Sequence, residues 1–403
     1  MEWKHYSTRM VKRTYQSTIH ACWLAGGIQA LVCIYVPLLF LHFREEFGIS
    51  LGELGSLVVV NFGTQLVVDI LAARYAERIG VRFCMVLSNV VMAAGLASLT
   101  FLPQVVPAFW GLAASVVLYA IGGGLVEVLT SPTVEACPTE NKASQMAFLH
   151  SIYSIGSIVI IVVSTLFFRL FGLANWRILT LLWTLFPLYN MVNFMLVPMP
   201  RLVPEGEKGL SFGDLFRMPL FWLLLLIMTC SGAAEQAMAQ WASAFAEAGL
   251  RVSKPVGDLF GACFFAILMC LARLLSSRYA DRVDLNGAMI KSALICIAGY
   301  LLAIFAPWPL LGLAGVGVTG FGVGVMWPGT LSLGARKIPG GGAALFGLCA
   351  LGGDLGCSTG PGLVGWLAAA TGDNLKAGLV VGLVYSVILC MGLSVLRRLR
   401  KKG

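Results

Sequence analysis

The feature that most constrains this chain is a recurrence. Apolar stretches about as long as the roughly 20 residues that cross a hydrocarbon core as a helix follow one another from end to end. They fall near residues 18–42, 54–73, 83–103, 107–134, 145–171 and 178–198, and again near 219–246, 257–277, 287–307, 309–335, 341–369 and 376–397. Lipid offers backbone N–H and C=O groups no partner, so only helices and closed barrels span it, and stretches of this length select helices. The predicted fold class is an all-α membrane protein with twelve transmembrane helices in two pseudo-symmetric six-helix halves. Charged residues make up only 12% of the chain, about half of the roughly 25% usual in soluble proteins, which excludes an ordinary water-soluble domain.

The long polar break with Pro and Gly punctuation, PRLVPEGEKGLSFGDLFRMP, separates the two sets of stretches and reads as a linker. The expected organisation is a basic N-terminal segment 1–17, a first half 18–199, a linker 200–218, a second half 219–397 and a basic tail 398–403. The stretch after MEWKHYSTRMVKRTYQ is too long for a signal-peptide core and ends in no small-residue cleavage site, so the first helix is expected to remain. Basic residues gather in alternate connections: Lys4, Arg9, Lys12, Arg13, Arg74, Arg78, Arg82, Lys142, Arg201, Lys208, Arg217, Arg278, Arg282, Arg336, Lys337 and the tail RRLRKK fall on one side, whereas Arg44, Arg169, Arg177, Arg251, Lys254 and Lys376 fall on the other. Lys and Arg beside spans favour the cytoplasm, which places both termini there, in a multi-pass protein of the cell membrane. That asymmetry, with attraction to anionic lipid, accounts for the net charge of +9 without a nucleic-acid partner. The 11 cysteines lie mostly in apolar runs without CxxC pairing or nearby His and read as small buried thiols. No nucleotide loop, metal-ligand spacing or nucleophile motif is present, so neither an enzyme nor a metal or other cofactor is expected.

Within the spans, the stretch YAIGGGLVEVLTSPTVEACP stands out. An acidic residue at mid-membrane costs roughly 2.5 to 3.5 kcal/mol and normally faces a bundle interior or a wet cavity, so Glu127 marks an ion or solute path or else a protonated structural position. Gly122, Gly123 and Gly124 before it remove side-chain bulk and let a helix or a ligand approach the backbone. Other polar residues recur at helical spacing, which a lipid-facing surface would not tolerate: Asn61, Gln65 and Asp69; His150, Ser154 and Ser157; Gly26, Gln29 and Cys33; Asn190 and Asn193; Glu235, Gln236 and Gln240; Asp354 and Ser358. Amides and hydroxyls beside rings such as Trp241, Trp327 and Tyr153 suit a polyhydroxylated solute. Each also has a packing reading, since such groups join helices at about 0.6 kcal/mol apiece. His150 is either a proton relay, with an ordinary pKa near 6.5, or a neutral hydrogen-bonded His. Asp69 is expected at the loop end of its helix.

The two halves repeat. ARYAERIGVR (73–82) matches SRYADRVDLN (277–286), and IGGGLVEVLTSP matches FGVGVMWPGTLS. Two parallel six-helix halves facing a midplane cavity is the layout of major facilitator transporters. The paired basic loops resemble that superfamily's G-x-x-x-D-R-x-G-R-R motif, with Glu77 and Asp281 in the acidic place and Gly80 without a counterpart at Asp284. Within it, GGGLVEVLTSP, SGAAEQAMAQW, VMWPGTLSLG and ALGGDLGCSTGPGLVG are similar to segments of the fucose/proton symporter family, which includes glucose/galactose transporters. Cys33 stands where the resemblance implies a helix-one Asp, and Ser131 where it implies an Asn.

The resemblance implies a monomeric secondary transporter working by alternating access, with proton-coupled uptake of a monosaccharide or similar small polar solute. The polar faces inside the spans place the expected proton coupling on Glu127, Glu235 and His150, and the expected solute site on Gln29, Asn61, Gln65, Tyr153, Asn190, Asn193, Gln236, Gln240, Trp241, Trp327 and Asp354. Gating falls to Asp69, Arg74, Glu77, Arg78, Arg278, Asp281 and Arg282, the loop acids capping the positive N-terminal end of a helix in the opposite half. An exporter of a drug-like or metabolite solute in exchange for protons, or a non-transporting receptor, are the alternatives.

Overall fold

The computed structural model describes residues 14–139, 142–200, 210, 212–279, 284–340 and 342–400. Its long helices are α1 Tyr15–Leu38, α2 Leu51–Ile79, α3 Val81–Leu99, α4 Ala108–Ala136, α5 Lys142–Phe171, α6 Trp176–Leu196, α7 Pro219–Ala239, α8 254–279, α9 Leu285–Phe305, α10 Pro309–Lys337, α11 Gly342–Ala370 and α12 Leu375–Arg400. Among the described residues, eleven spans are long and apolar enough to cross a membrane. The remaining one, α11, is 29 residues long, as are α2 and α4. Its glycines, Pro361 and Asp354 dilute its apolarity.

Several ends differ from the hydropathy reading. α1 stops at Leu38 and a short helix, Phe40–Phe47, turns along the surface in its place. α2 starts at Ser50, whose hydroxyl accepts from the Glu53 N–H while the Glu53 carboxylate accepts from the Ser50 N–H, a reciprocal cap. It runs on to Ile79, so Asp69 lies deeper in the bundle than an end near residue 73 implies. Gly80 then turns the chain into α3 at φ +109, a region open to glycine. At the equivalent turn Asp284 instead caps α9, its carboxylate accepting from the Gly287 N–H at 3.2 Å. This is the physical reason the second loop dispenses with the glycine. A short helix, Phe212–Phe216, lies in the linker. Asp281 and Arg282 fall outside the described residues, as do the side chains of His150 and Arg278.

Glycine contacts make the internal symmetry concrete. A Cβ at Gly122 would meet Met92 and the Ser88 carbonyl of α3 at 2.4 Å, and one at Gly322 would meet the Cys296 N of α9 at 2.6 Å. Gly124 faces Val68 and Asp69 of α2; Gly324 faces Met269 and Ala272 of α8. Each half therefore packs its fourth helix against its second and third through matched glycines, which let the backbones approach.

Two prolines open the ladder at useful places. Pro37 offers no N–H to the Cys33 carbonyl, and Pro328 none to Gly324. The freed Cys33 carbonyl accepts from Gln240 Nε2 at 3.3 Å, and the Gly324 carbonyl from Arg273 Nε at 3.4 Å. Both donors come from the second half, and both lie at the centre of the molecule.

At the end of the bundle far from the termini the halves are pressed together. Gly55 of α2 meets Gly362 and Gly365 of α11, leaving only 3.0 Å for a Cβ. Trp366 Nε1 donates to Ser56 Oγ at 2.9 Å, Lys254 Nζ donates to the Leu38 carbonyl at 2.6 Å, and Arg44 pairs with Asp373. On the opposite flank Thr165 Oγ1 of α5 donates to Asp258 of α8 at 3.1 Å. At the termini end, Arg74, Glu77 and Arg78 are exposed to solvent. Arg82 donates to the Phe194 and Met195 carbonyls at 3.0 and 2.9 Å, closing the C-terminal end of α6. Arg82→Ala is expected to cost roughly 1 kcal/mol, read as a lower thermal midpoint of the purified protein, with the transport rate per folded molecule unchanged.

Candidate functional site

The centre of the bundle holds two polar groups of different character. In the first, α1, α2 and α4 of one half meet α11 of the other. Gln29 Nε2 donates to Gln65 Oε1 at 2.7 Å and to Glu127 Oε2 at 3.4 Å, and Gln65 Nε2 donates to Asn61 Oδ1 at 2.9 Å. Glycine makes this possible: a Cβ at Gly123 would stand 2.8 Å from Gln29 Oε1, and one at Gly124 3.0 Å from Asp69 Oδ1. The three glycines thus divide the work, Gly122 seating α4 on α3 while Gly123 and Gly124 admit the polar side chains of α1 and α2.

Asp69, Glu127 and Asp354 converge there, with one oxygen from each within 4.8 Å of the others. Asp69 and Asp354 are buried, meeting carboxyl to carboxyl, whereas Glu127 is exposed. Ser131 and Glu135, the next turns along α4 toward the termini, are accessible as well. Toward the far end, Cys33, Val36, Pro37, Phe40, Leu57, Val58, Asn61, Tyr119 and Gln240 leave room for only about 10 Å³. The site is therefore reached from the termini end and sealed at the far end.

The second group is organised by Arg273 of α8. Its Nη2 donates to both oxygens of Glu235 at 3.2 and 3.1 Å, its Nη1 to Ser154 Oγ of α5 at 3.3 Å, and its Nε to the Gly324 carbonyl. A planar guanidinium can serve a carboxylate and two further acceptors at once, as an ammonium cannot. Glu235 is thus a paired carboxylate joining helices, and Arg273 ties the two halves at mid-depth.

The remaining residues singled out in the sequence divide between these groups and other places. Gln240 donates to Gln236 Oε1 at 3.0 Å as well as to Cys33. Trp241 is fully buried and donates to the Pro361 carbonyl at 2.9 Å, so it belongs to the far-end seal and not to an open cavity wall. Trp327 packs on Gly353 of α11, and Tyr153 lies beside Cys33. Asn190 donates to the Ala21 carbonyl at 3.2 Å, tethering α6 to α1 away from the cluster, and Asn193 lies further along α6 toward the termini end. Asp69, read from sequence with the loop, sits instead against Glu127 and Asp354. Arg273, Asp258 and Lys254 were not singled out by sequence as site residues; the visible signal was a charge inside an apolar run, CLARLL for Arg273.

Comparisons with known proteins agree with this architecture. A family model described as Major Facilitator Superfamily matches residues 22–361. The chain is 24% identical to membrane protein MosC of Rhizobium meliloti over 360 residues, 87% of this chain and 83% of that protein. Its fold is similar to a bacterial homologue of the human lysosomal transporter Spinster, in an inward-facing and occupied conformation, with TM-score 0.77, 14% identity and coverage of 95% and 97% of the two chains. It is also similar to the E. coli fucose:proton symporter, with TM-score 0.63, 15% identity and coverage of 95% and 99%.

Proposed function

The chain belongs to the Major Facilitator Superfamily, and from that premise we propose that it takes up a small polar solute of the monosaccharide type by alternating access, coupled to protons, with both termini in the cytoplasm. In this reading the arrangement described is the inward-facing state. The observation that carries it is Glu127: a carboxylate at the middle of an apolar helix, in contact with the amide of Gln29, open to one end of the bundle and walled off from the other. A carboxylate that meets water from alternating sides can load and release a proton, and the energy of each state shifts only by what the ligand gains in it. The amides of Gln29, Gln65, Asn61, Gln236 and Gln240 offer donors and acceptors to hydroxyl groups at that depth. The likeness of fold to a fucose:proton symporter supports the class of solute and of coupling ion.

Glu235, held by Arg273, is assigned a fixed role beside the solute, and Glu127 the mobile charge. The test is uptake of labelled monosaccharides into proteoliposomes with and without a pH gradient. One sugar is expected to accumulate only when the outside is acidic. Glu127→Gln is expected to lose that accumulation while keeping counterflow exchange, because a neutral amide copies the protonated form. Absence of gradient-driven accumulation for every sugar tried, or full accumulation by Glu127→Gln, overturns the reading.

A further inference from the structure

We propose that Glu45 and Glu247 form a proton switch at the far end of the bundle: protonation of Glu247 from the solution on that side holds the two halves together, and its ionisation drives them apart. Glu45 lies in the short helix Phe40–Phe47 of the first half, and Glu247 in the wide turn Phe245–Gly249 that leads from α7 toward α8 in the second. With Leu41, Arg44 and Ala248 they line one cavity of about 460 Å³ across the joint between the halves. Both carboxylates are carried on backbone that is held in place. Phe40 and Phe43 of the short helix are buried, and Phe43 packs on Trp176 with ring centroids 5.0 Å apart. Phe245 and Ala246 are buried, and a Cβ at Gly257 of α8 would stand 3.5 Å from the Glu247 N. Closure at this end therefore brings the two acids to one cavity.

Their lack of partners sets these two apart. Among the described residues, the other carboxylates at that end are engaged. Glu46 accepts from Trp176 Nε1 at 2.9 Å and from Arg177, Glu53 caps α2, Asp258 accepts from Thr165, Lys254 and Ser243, and Asp373 pairs with Arg44. Glu45 and Glu247 make no ion pair. The cations beside them are taken: Arg44 by Asp373, and Lys254 by the Leu38 carbonyl and Asp258. Two carboxylates from opposite halves, left without a counter-charge, oppose each other when both are ionised.

The sign follows from burial. Glu247 is half-buried, whereas Glu45 is exposed. Burial, the main cause, holds the Glu247 carboxyl above its usual value of 4.5; Lys254 draws it back, and Asp258 and Glu45 add to the rise. Opening the far end is expected to return Glu247 to water and to that usual value. The shut state then binds the proton more tightly than the open one, so acid on the far side favours closure. The contribution is complete below the usual value and is lost as pH rises through the raised one. The proton enters from the far-end solution and returns to it, so it sets the balance between states and is not the one transported.

The switch deepens the alternating-access reading and rests on it. The full chain in lipid nanodiscs, its native cysteines replaced, takes spin labels at Val106→Cys and Trp308→Cys, exposed sites in far-end connections of the two halves. Pulsed electron resonance then gives the shut and open distances and their populations. Between about pH 8 and about pH 5 the shut-to-open ratio is expected to rise about threefold or more beyond any rise in Glu247→Gln. At the higher pH Glu247→Gln is expected to be more shut than the parent, because an amide copies the protonated acid. Glu45→Gln, at an exposed position, should reduce the dependence on pH, and Glu53→Gln, at an acid that caps its own helix, should keep it. An equal rise in parent and Glu247→Gln, or a Glu247→Gln protein less shut at the higher pH, overturns the switch. Should Glu247→Gln fail to fold, an undiminished pH response in Glu45→Gln does the same. Two distances whose populations shift on addition of a sugar, alongside any of these results, leave the transport reading standing. A single distance at every pH and with every sugar overturns both.

Discussion

Arg273→Met is expected to lower the stability of the protein by about 3 to 5 kcal/mol and to abolish transport. Removing one member of a buried ion pair leaves the other charge desolvated and unpaired, and that penalty exceeds what the pair itself contributes. Glu235 has a side-chain exposure of 7%, so it cannot reach water from where it stands. The same change also strips the donor from the Gly324 carbonyl, which Pro328 has already left without a backbone partner, and cuts the link to Ser154 in the other half. The double variant Arg273→Met with Glu235→Met is expected to recover most of the stability, since two apolar side chains replace two charges, but not transport. Arg273→Lys should fall between, keeping the charge while losing the fork that serves three acceptors. Thermal unfolding of the three purified variants decides the matter. Equal losses in the single and double variants would mean that the pair is not the source of the cost.

How far the sequence carries toward this site depends on what kind of signal each residue leaves. Span number and position were legible because hydropathy reports length, and length is what a bilayer selects. The misplaced ends have local causes that hydropathy does not register. Ser50 with Glu53 starts α2 before its apolar run, and the run past residue 73 stays helical because its exposed end carries Arg74, Glu77 and Arg78, all tolerable at a helix end in water. That extension is why Asp69 belongs to the cluster and not to the loop. Glu127 was legible because it interrupts an apolar helix behind three glycines. The partners that give it meaning were not, since Asp354 lies in the other half and only the fold brings it near.

Arg273 shows the limit differently. It sits five residues before Arg278 of the basic loop, and the sequence reading passed over it. Yet the repeat held the clue: the offset that sets Arg278 opposite Arg74 sets Arg273 opposite Asp69. Two halves of common architecture thus carry an acid and a base at the same depth, one in the carboxylate cluster and one in the ion pair. Opposite charges at equivalent positions cannot both be loop residues by accident of composition. The repeat offset is therefore a better guide to buried charge than position along a span.

Asp258→Ala is expected to open the far end, raising the rate at which a membrane-impermeant thiol reagent added on that side reaches Cys33 by about tenfold or more. Asp258 is 1% exposed and accepts from Thr165 at 3.1 Å, from Lys254 at 3.2 Å and from Ser243. Lys254 continues the chain of contacts to the Leu38 carbonyl, so a single carboxylate ties α5 and α1 of one half to α8 of the other. It sits on a wide, π-type stretch of α8, Gly257–Cys263, a geometry that aims side chains out of helical register and recurs at functional positions. These contacts join the two halves at the far end, so their loss is expected to raise the energy of the shut state. Every 1.4 kcal/mol of such a difference is about a tenfold shift in population, and a broken buried pair costs about 3 to 5 kcal/mol. Cys33 is the right reporter because it lines the narrow far-end void and is 2% exposed, in a background where the other cysteines are replaced. Asp373→Ala removes the exposed pair with Arg44, which solvent already screens, and should change the rate by less than about twofold. Labelling of Cys33 that is unchanged in Asp258→Ala, or raised as much by Asp373→Ala, would move the lock from Asp258 to the glycine contact of Gly55 with Gly365, where no charge is involved.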